Sequence, residues 1–292
     1  MTIQKASALK RRESLVGFLF ASPAILGLIV FFVIPFAVSV YYSLSSGVAG
    51  GTFVGLRHYA ELLQNTAFQL AAVNTAKFIA VAVPLILACS LVVALLLFRK
   101  LRGYNFFRTV FIFPLVLPTA SVILVFQIVF HQDGALNGLL ARMHLPVTDW
   151  LHSSGAFAVL VTLYIWKNIG YNIVLFFAAL NTVPPSFYEA ADIDGATGLQ
   201  KLFRITLPLI THHFFFIVIV SIINTFKVFR EAFILCGNHP HKSIYMLQHF
   251  MNNNFQNLNY ARLSTGAIII FTVIFLIVLC LFRLRRNRGV EA

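Results

Sequence analysis

Six long apolar segments constrain the fold of this chain more than any other feature. Each is long enough to cross a hydrocarbon core of roughly 30 Å, for which a helix needs about 20 residues. A backbone inside lipid must satisfy its own hydrogen bonds, so the segments are predicted to be helices. The sequence therefore predicts an all-α, polytopic membrane protein with six transmembrane helices. The segments are approximately Leu15–Leu44, Phe68–Phe98, Thr109–Phe130, Ala156–Leu180, Pro208–Leu235 and Leu263–Leu284.

The composition excludes a soluble globular domain. Of the 292 residues, 59% are hydrophobic and only 11% are charged, which leaves too little polar material to surround a core. A net charge of +13 would indicate a nucleic-acid partner in a soluble protein. Here the charges lie at the ends of apolar segments, where membrane proteins place them. We therefore expect a lipid membrane as the surroundings and no nucleic-acid partner.

The distribution of basic residues predicts the orientation. Fourteen Lys and Arg residues fall on one side of the membrane and four on the other, and the side with the excess is normally cytoplasmic. We expect a multi-pass protein of the plasma or inner membrane with both termini in the cytoplasm. The fourteen are Lys5, Lys10, Arg11, Arg12, Arg99, Lys100, Arg102, Arg108, Lys201, Arg204, Arg283, Arg285, Arg286 and Arg288; the four are Arg57, Arg142, Lys242 and Arg262.

Signals for intrinsic catalysis are weak. There is no phosphate-binding G-x-x-x-x-G-K-[ST] loop, no H-E-x-x-H and no G-x-S-x-G, and His239, His241 and His249 are a poor metal pattern without a carboxylate or thiolate nearby. We expect no enzyme activity, no cofactor and no metal. A secondary transporter or an intramembrane enzyme is the alternative, but Glu231 is the only carboxylate within a predicted span.

A polar loop between the fourth and fifth segments contains several helix signals. Pro184 and Pro185 cannot continue the fourth helix. Ser186 and Glu189 have the spacing of a capping box, which predicts a short helix from Phe187. Gly195 then permits a sharp turn. Such a short helix between two spans is compatible with an ordinary interfacial helix and with a docking element for a soluble partner.

The same loop resembles a known motif. Glu189-Ala190-Ala191, Gly195 four residues later, and Ile205-x-Leu207-Pro208 after nine more residues match the EAA loop in permease subunits of ABC importers, and the flanking sequence resembles the sugar-uptake branch. The resemblance covers roughly residues 68–282. It implies the type I ABC importer permease fold, divided into a cytoplasmic segment 1–14, a first helix and outer loop 15–67, a permease core 68–284 containing the EAA loop 182–208, and a cytoplasmic tail 285–292.

The resemblance also implies function and partners. The chain would be one half of the translocation pathway of an ATP-driven importer, with a second permease subunit, a dimer of cytoplasmic ATP-binding subunits and an extracytoplasmic solute-binding protein. Glu189 would form a salt bridge with the ATP-binding subunit. The residues implied in coupling to the ATPase are Glu189, Ala190, Ala191, Asp194, Gly195, Ile205, Leu207 and Pro208.

Polar residues inside the fourth and fifth segments are candidates for the substrate pathway, because such residues are costly in lipid. Amide, hydroxyl and aromatic groups are also those that bind sugars. The resemblance adds a second indication: a gap-free match to similar sugar permeases, extended outward from the EAA loop, gives the residues at the depth where those permeases hold substrate. These residues are Tyr164, Lys167, Asn168, Tyr171, Ser221, Asn224 and Thr225. Contacts between helices are an equally good explanation for Asn, Ser and Thr. Lys227 and Glu231 are predicted to form an i,i+4 ion pair instead.

Overall fold

The computed structural model describes residues 16–46, 51–98 and 104–288. The basic segment 1–14, the charges at 99, 100 and 102, and the last residues 289–292 lie outside these ranges. Within them the chain is almost entirely helical, and the β-type pairing recorded there is an isolated bridge between Ser45 and Phe53. The all-α fold class is confirmed.

The helices are numbered here in chain order. A π turn at Ile29–Val33 lies within the first helix. The helices are α1 (Val16–Leu44), α2 (Arg57–Gln64), α3 (Thr66–Phe98), α4 (Tyr104–Val116), α5 (Thr119–Phe130), α6 (Ala135–Arg142), α7 (Ala156–Leu180), α8 (Pro185–Ile193), α9 (Gly198–Lys201), α10 (Thr211–Thr225), α11 (Phe229–Cys236), α12 (Leu247–Gln256) and α13 (Tyr260–Arg288).

Six helical stretches in the described ranges are long and apolar enough to cross a membrane. This confirms the predicted number, and α7 has the predicted bounds. The last helix begins at Tyr260 rather than Leu263 because the side chain of Asn259 caps it, accepting a hydrogen bond from Arg262 N at 3.2 Å. The stretches are Val16–Leu44, Thr66–Phe98, Thr119–Arg142, Ala156–Leu180, Thr211–Cys236 and Tyr260–Arg283.

The third segment is not the single helix that was predicted over Thr109–Phe130. Residues 117 and 118 separate α4 from α5, and Pro118 has an extended backbone with ψ 130°. Proline lacks the N–H group that would continue the ladder of α4. The apolar stretch that qualifies as a span starts after this break, at Thr119. Pro84 and Pro114, in contrast, lie within continuous helices.

The chain divides into two compact units, residues 1–64 with 254–271 and residues 65–253 with 272–292. In the first unit, the hydroxyl groups of Ser43 and Tyr59 are 2.8 Å apart and connect α1 to α2. Large apolar side chains of α1, such as Phe20 and Phe31, are exposed. Exposure of this kind is expected for a helix that is surrounded by lipid.

The core of the second unit is formed mainly by α3 and α7, which pack along much of their length. Phe78 and Phe176 are fully buried there. Helix α4 approaches α7 closely at Gly170, where a β-carbon would overlap the carbonyl oxygen of Phe111. This packing holds α7, which carries most of the candidate pathway residues, against its neighbours.

The fifth segment is a series of short elements rather than the one helix predicted over Pro208–Leu235. A short helix at Leu207–Leu209 precedes α10, and a 3-10 turn at Phe226–Val228 separates α10 from α11. The next connection is held to α3 by the side chain of Asn74, whose Nδ2 donates to the carbonyl groups of Lys242 at 2.6 Å and Tyr245 at 3.0 Å.

Candidate functional site

The EAA loop begins with a helix that differs from the predicted one. Helix α8 starts at Pro185, and Pro184 before it is extended with φ −60° and ψ 133°. Proline at the first helical position needs no hydrogen-bond acceptor for its nitrogen, and it forces the preceding residue out of the helical region. No side chain caps this end. The predicted capping box of Ser186 and Glu189 was therefore wrong.

A capping box does exist in the EAA loop, but it begins α9. The backbone N of Thr197 donates to Gln200 Oε1 at 2.7 Å, and the backbone N of Gln200 donates to Thr197 Oγ1 at 3.4 Å. The T-x-x-Q spacing was visible in the sequence. This spacing is a weak signal because it comes two residues after a glycine turn and the helix that it begins has only four residues.

Gly195 makes the turn between these two helices, as predicted. Its φ of +71° is in the left-handed region, which favours glycine. The N–H of Gly195 donates to Asp192 O at 3.1 Å, and the N–H of Ala196 donates to Ala191 O at 2.9 Å. This pair of bonds is a Schellman motif and ends α8 sharply after Asp194.

Two side-chain contacts connect the limbs of the EAA loop. Tyr188 OH lies 3.0 Å from Thr206 Oγ1, and Lys201 Nζ donates to Asp192 Oδ1. A π turn at Leu202–Thr206 completes the second limb. The loop is thereby a defined hairpin of short helices rather than an irregular connection.

The predicted coupling residues differ in exposure along this hairpin. Ala191 is buried, whereas Ile205 and Leu207 are half-buried, and Leu207 packs against the core. Glu189 is exposed, and its carboxylate makes neither a side-chain hydrogen bond nor an ion pair with any residue the structure describes. The remaining exposed members are Ala190, Asp194, Gly195 and Pro208.

A cavity of about 780 Å³ lies in the second unit, between α7 and the fifth segment. Five of the seven candidate pathway residues line it: Tyr164, Lys167, Asn168, Tyr171 and Asn224. Tyr164 is held edge-on against Phe78, with ring centroids 5.4 Å apart. Asn168 Nδ2 donates to Tyr164 O at 2.8 Å. The cavity wall thus presents phenol, amide and ammonium groups together.

The other two candidates do not line this cavity. Ser221 is buried, and its hydroxyl donates to Asn172 Oδ1 at 3.0 Å, a bond between α10 and α7. The Thr225 hydroxyl donates to Ile222 O within its own helix. Ser221 thus makes the contact between helices that its residue type left open, whereas the Thr225 hydroxyl bonds back to its own helix.

The charge pair at the cavity wall is not the predicted one. Glu231 is bonded to Lys167 rather than to Lys227. The i,i+4 rule assumes a regular α-helix, and the 3-10 turn at Phe226–Val228 breaks that regularity. Glu231 lies on α11 and reaches α7, where the half-buried ammonium group of Lys167 also requires a partner.

Sequence analysis missed four polar residues of the cavity: Lys227, Arg230, Glu231 and Gln248. Lys227 and Glu231 had been assigned to a structural ion pair. Gln248 belongs to α12, in the connection between the fifth and sixth spans, and nothing in its sequence context indicated contact with the fourth span.

The histidines of that connection make separate contacts. No group of three or more His, Cys, Asp or Glu side chains with metal-binding geometry occurs among the residues that the structure describes. His241 Nδ1 lies 2.9 Å from Ser243 Oγ. His249 is buried between Phe229 and Tyr245, and burial lowers the pKa of its imidazole to about 4.

Comparisons with known proteins identify the family. The model of the family described as "Binding-protein-dependent transport system inner membrane component" matches residues 80–288. The arabinooligosaccharides transport system permease protein AraP of Bacillus subtilis (strain 168) is 31% identical, covering 92% of this chain and 87% of AraP. The trehalose/maltose transport system permease protein MalF of Thermococcus litoralis is 30% identical, covering 80% of this chain and 81% of MalF.

The fold also resembles a solved structure. A chain in the crystal structure of a bacterial alginate ABC transporter, in complex with an alginate pentasaccharide-bound periplasmic protein, superimposes with a TM-score of 0.83. The match covers 96% of each chain at 20% sequence identity. At this identity the likeness establishes the type I importer permease fold.

Proposed function

Because the chain belongs to the family of binding-protein-dependent transport system inner membrane components, we propose that it conducts a sugar or sugar-like solute. Its family makes it a permease subunit of an ABC importer and a transport component rather than an enzyme. The protein is a multi-pass membrane protein that works with a solute-binding protein and ABC partners. We also propose the class of solute, the residues that couple the protein to the ATPase, its orientation in the membrane and the arrangement of its subunits.

The proposal of a sugar pathway rests on the residues that line the cavity. Tyr171 supplies an aromatic face, and Asn168, Asn224 and Gln248 supply amide groups within one cavity of about 780 Å³. Amides bond to sugar hydroxyls in both directions, and aromatic faces pack against the apolar side of the ring. The relatives AraP and MalF, which are named for arabinooligosaccharide and trehalose/maltose transport, support this class of solute.

The EAA loop is the proposed docking element for the ATP-binding subunit. Its surface combines the exposed carboxylate of Glu189 with large apolar side chains, of which Ile193, Leu199 and Phe203 are 87%, 69% and 64% exposed. Several large apolar side chains exposed together in a polar loop indicate a surface that another protein covers. Glu189 would pair with an Arg or Lys there.

The charge asymmetry supports placing this loop and both termini in the cytoplasm. The ATP-binding subunits would then meet the EAA loop, and the solute-binding protein would meet the opposite side. The chain supplies one half of the pathway, so a second permease subunit and a dimer of ATP-binding subunits complete the importer. Closure of that dimer would rock the helices between two states.

Charge reversal at Glu189 tests the docking role. We expect Glu189→Lys to reduce co-purification of the ATP-binding subunit and ATP-driven uptake by at least about tenfold, as for a charge pair at an interface. Asp133→Lys is the matched control for co-purification, since Asp133 is an exposed carboxylate in a connection on the opposite side of the membrane from the EAA loop. Unchanged assembly and uptake in Glu189→Lys would contradict the docking role.

Truncation of cavity residues tests the pathway separately. Asn224→Ala and Tyr171→Ala should lower uptake of the imported sugar in proteoliposomes, because each removes a group from the cavity wall. Co-purification with the ATP-binding subunit should remain normal in both. Normal uptake in both variants would remove the cavity from the pathway and leave the docking role of Glu189 standing.

A further inference from the structure

The cavity between α7 and the fifth segment contains an excess of positive charge. Its lining includes Lys167, Lys227 and Arg230 but one carboxylate, that of Glu231. Glu231 is bonded to Lys167, so these two charges neutralise each other. Within the described part of the chain, neither the ammonium group of Lys227 nor the guanidinium group of Arg230 takes part in an ion pair or a hydrogen bond. Two cations therefore remain without a counter-charge at the cavity wall.

These two cations share the cavity with the groups suited to a sugar. The amides of Asn224 and Gln248 and the ring of Tyr171 belong to the same lining. One solute filling this volume could touch an aromatic face, amide groups and a basic side chain at once. Lys227 lies one turn beyond Asn224 in the chain, so the amide and the ammonium group follow each other along the same wall.

A neutral solute would leave the two cations unsatisfied. Both side chains are exposed in this structure, but a solute that fills the cavity displaces water from them. A charge that loses water without gaining a partner is costly, and electrostatic attraction strengthens as water leaves. A carboxylate or phosphate would supply that partner, and the planar guanidinium group of Arg230 can bind either one with two parallel bonds. The cavity thus suits a solute that carries both hydroxyl groups and an anion.

We propose that this cavity selects an anionic saccharide, a sugar acid or a sugar phosphate, with Lys227 and Arg230 as its anion-binding residues. This proposal rests on the proposed function as a sugar permease and names the class of sugar. The phosphate of a lipid headgroup has the same chemistry as part of such a solute, and the experiment must separate the two sources.

The test uses the whole importer, with its partner permease, ATP-binding subunits and solute-binding protein, in proteoliposomes of phosphatidylcholine. ATP-driven uptake is measured for a panel of matched neutral and anionic sugars, including galactotriose with trigalacturonate and glucose with glucose 6-phosphate. We expect an anionic member to be imported in preference to its neutral counterpart.

The variants Lys227→Gln and Arg230→Gln should each raise the ratio of the KM for the anionic sugar to that for the neutral one by about tenfold, as loss of a charge-assisted hydrogen bond would. Lys77→Gln is the control, because Lys77 is an exposed lysine of α3 outside the lining of this cavity. It should leave the ratio unchanged. Co-purification of each variant with the ATP-binding subunit verifies assembly.

Import confined to neutral sugars would overturn the inference and leave the sugar permease function intact. Equal KM changes for both sugars of a pair would also overturn it, since they would show a structural role. If Lys227→Gln and Arg230→Gln changed uptake only when phosphatidylglycerol was added, and changed it equally for neutral and anionic sugars, the two cations would bind lipid instead. Import of no saccharide in the panel would remove the proposed sugar function, and this inference with it.

Discussion

Lys167 Nζ donates a hydrogen bond to Glu231 Oε1, and this bond joins α7 to α11 at the wall of the cavity. The two side chains are only 16% and 8% exposed. Two opposite charges that are both shielded from water stabilise each other, because either charge alone would be buried without compensation. The pair therefore stabilises the second unit and also holds two walls of its cavity together.

Removing one member of this pair should destabilise the protein strongly. We expect Lys167→Met to lower the free energy of unfolding by about 3–5 kcal/mol, the usual cost of an orphaned buried charge. The double variant Lys167→Met with Glu231→Leu should recover most of that loss, since it leaves no buried charge. Thermal unfolding of the purified importer in detergent measures both, and a double variant as unstable as the single one would refute the explanation.

Gly170 allows α4 and α7 to approach each other closely. A β-carbon at this position would overlap Phe111 O of α4, and backbone cannot move aside as a flexible side chain can. We expect Gly170→Ala to cost about 1–3 kcal/mol of stability, as overpacking does. Gly138→Ala is the matched control, because this helical glycine of α6 has open space around it, and alanine there should be neutral or slightly stabilising. Equal apparent melting temperatures for the two variants would contradict the prediction.

The number of the spans could be predicted because it follows from the length of each apolar segment alone, and most of their positions could be predicted for the same reason; the third span, which starts after Pro118, is the exception. The side-chain contacts of individual residues could not be predicted, because they depend on where each regular helix ends. The turn at Phe226–Val228 rotates Glu231 away from Lys227. Likewise Pro185 begins α8 and removes the role of Ser186 as a cap. Local rules assumed an unbroken helix in one case and a side-chain cap in the other.

The pathway residues illustrate a second limit. Tyr164 and Tyr171 line the cavity, whereas Ser221 bonds to Asn172 instead. Both outcomes were compatible with the sequence, because a polar side chain within a span either faces a cavity or bonds to a neighbouring helix. The choice depends on how α10 is rotated against α7, and the hydrophobic pattern of a lipid-surrounded helix does not define that rotation. The functional role of the cavity residues remains a prediction.

The bond between Tyr188 OH and Thr206 Oγ1, at 3.0 Å, is expected to transmit motion through the EAA loop. Tyr188→Phe removes a hydrogen bond that contributes about 1 kcal/mol, so the two limbs of the loop should move less as one body. We expect more ATP hydrolysed per solute imported while the ATP-binding subunit still co-purifies. Tyr59→Phe is a matched control, because it deletes a similar hydroxyl contact, with Ser43, in the other unit. An unchanged ratio of ATP to solute in Tyr188→Phe would show that this contact does not affect coupling.

Acid should destabilise the connection between the fifth and sixth spans through His249. The imidazole accepts a hydrogen bond from Met246 N at Nδ1 (3.2 Å), and its buried Nε2 has no partner among the described residues. Burial lowers its pKa from 6.5 to about 4, so between these values the unfolded chain binds a proton that the folded chain excludes. The stability contributed by neutral His249 is therefore fully present above pH 6.5 and is lost as the pH falls to about 4.

We expect the apparent melting temperature of the purified importer to fall between pH 7 and pH 4.5, with a smaller fall in His249→Asn. Asparagine keeps an acceptor near the position of Nδ1 but does not titrate, so the difference between the two pH profiles isolates the imidazole. His152→Asn is the control, since His152 is exposed and pairs with Asp149, and its removal should leave the contribution of His249 in place. If wild type and His249→Asn lost stability in parallel over this range, the buried imidazole would not be the source of the acid sensitivity.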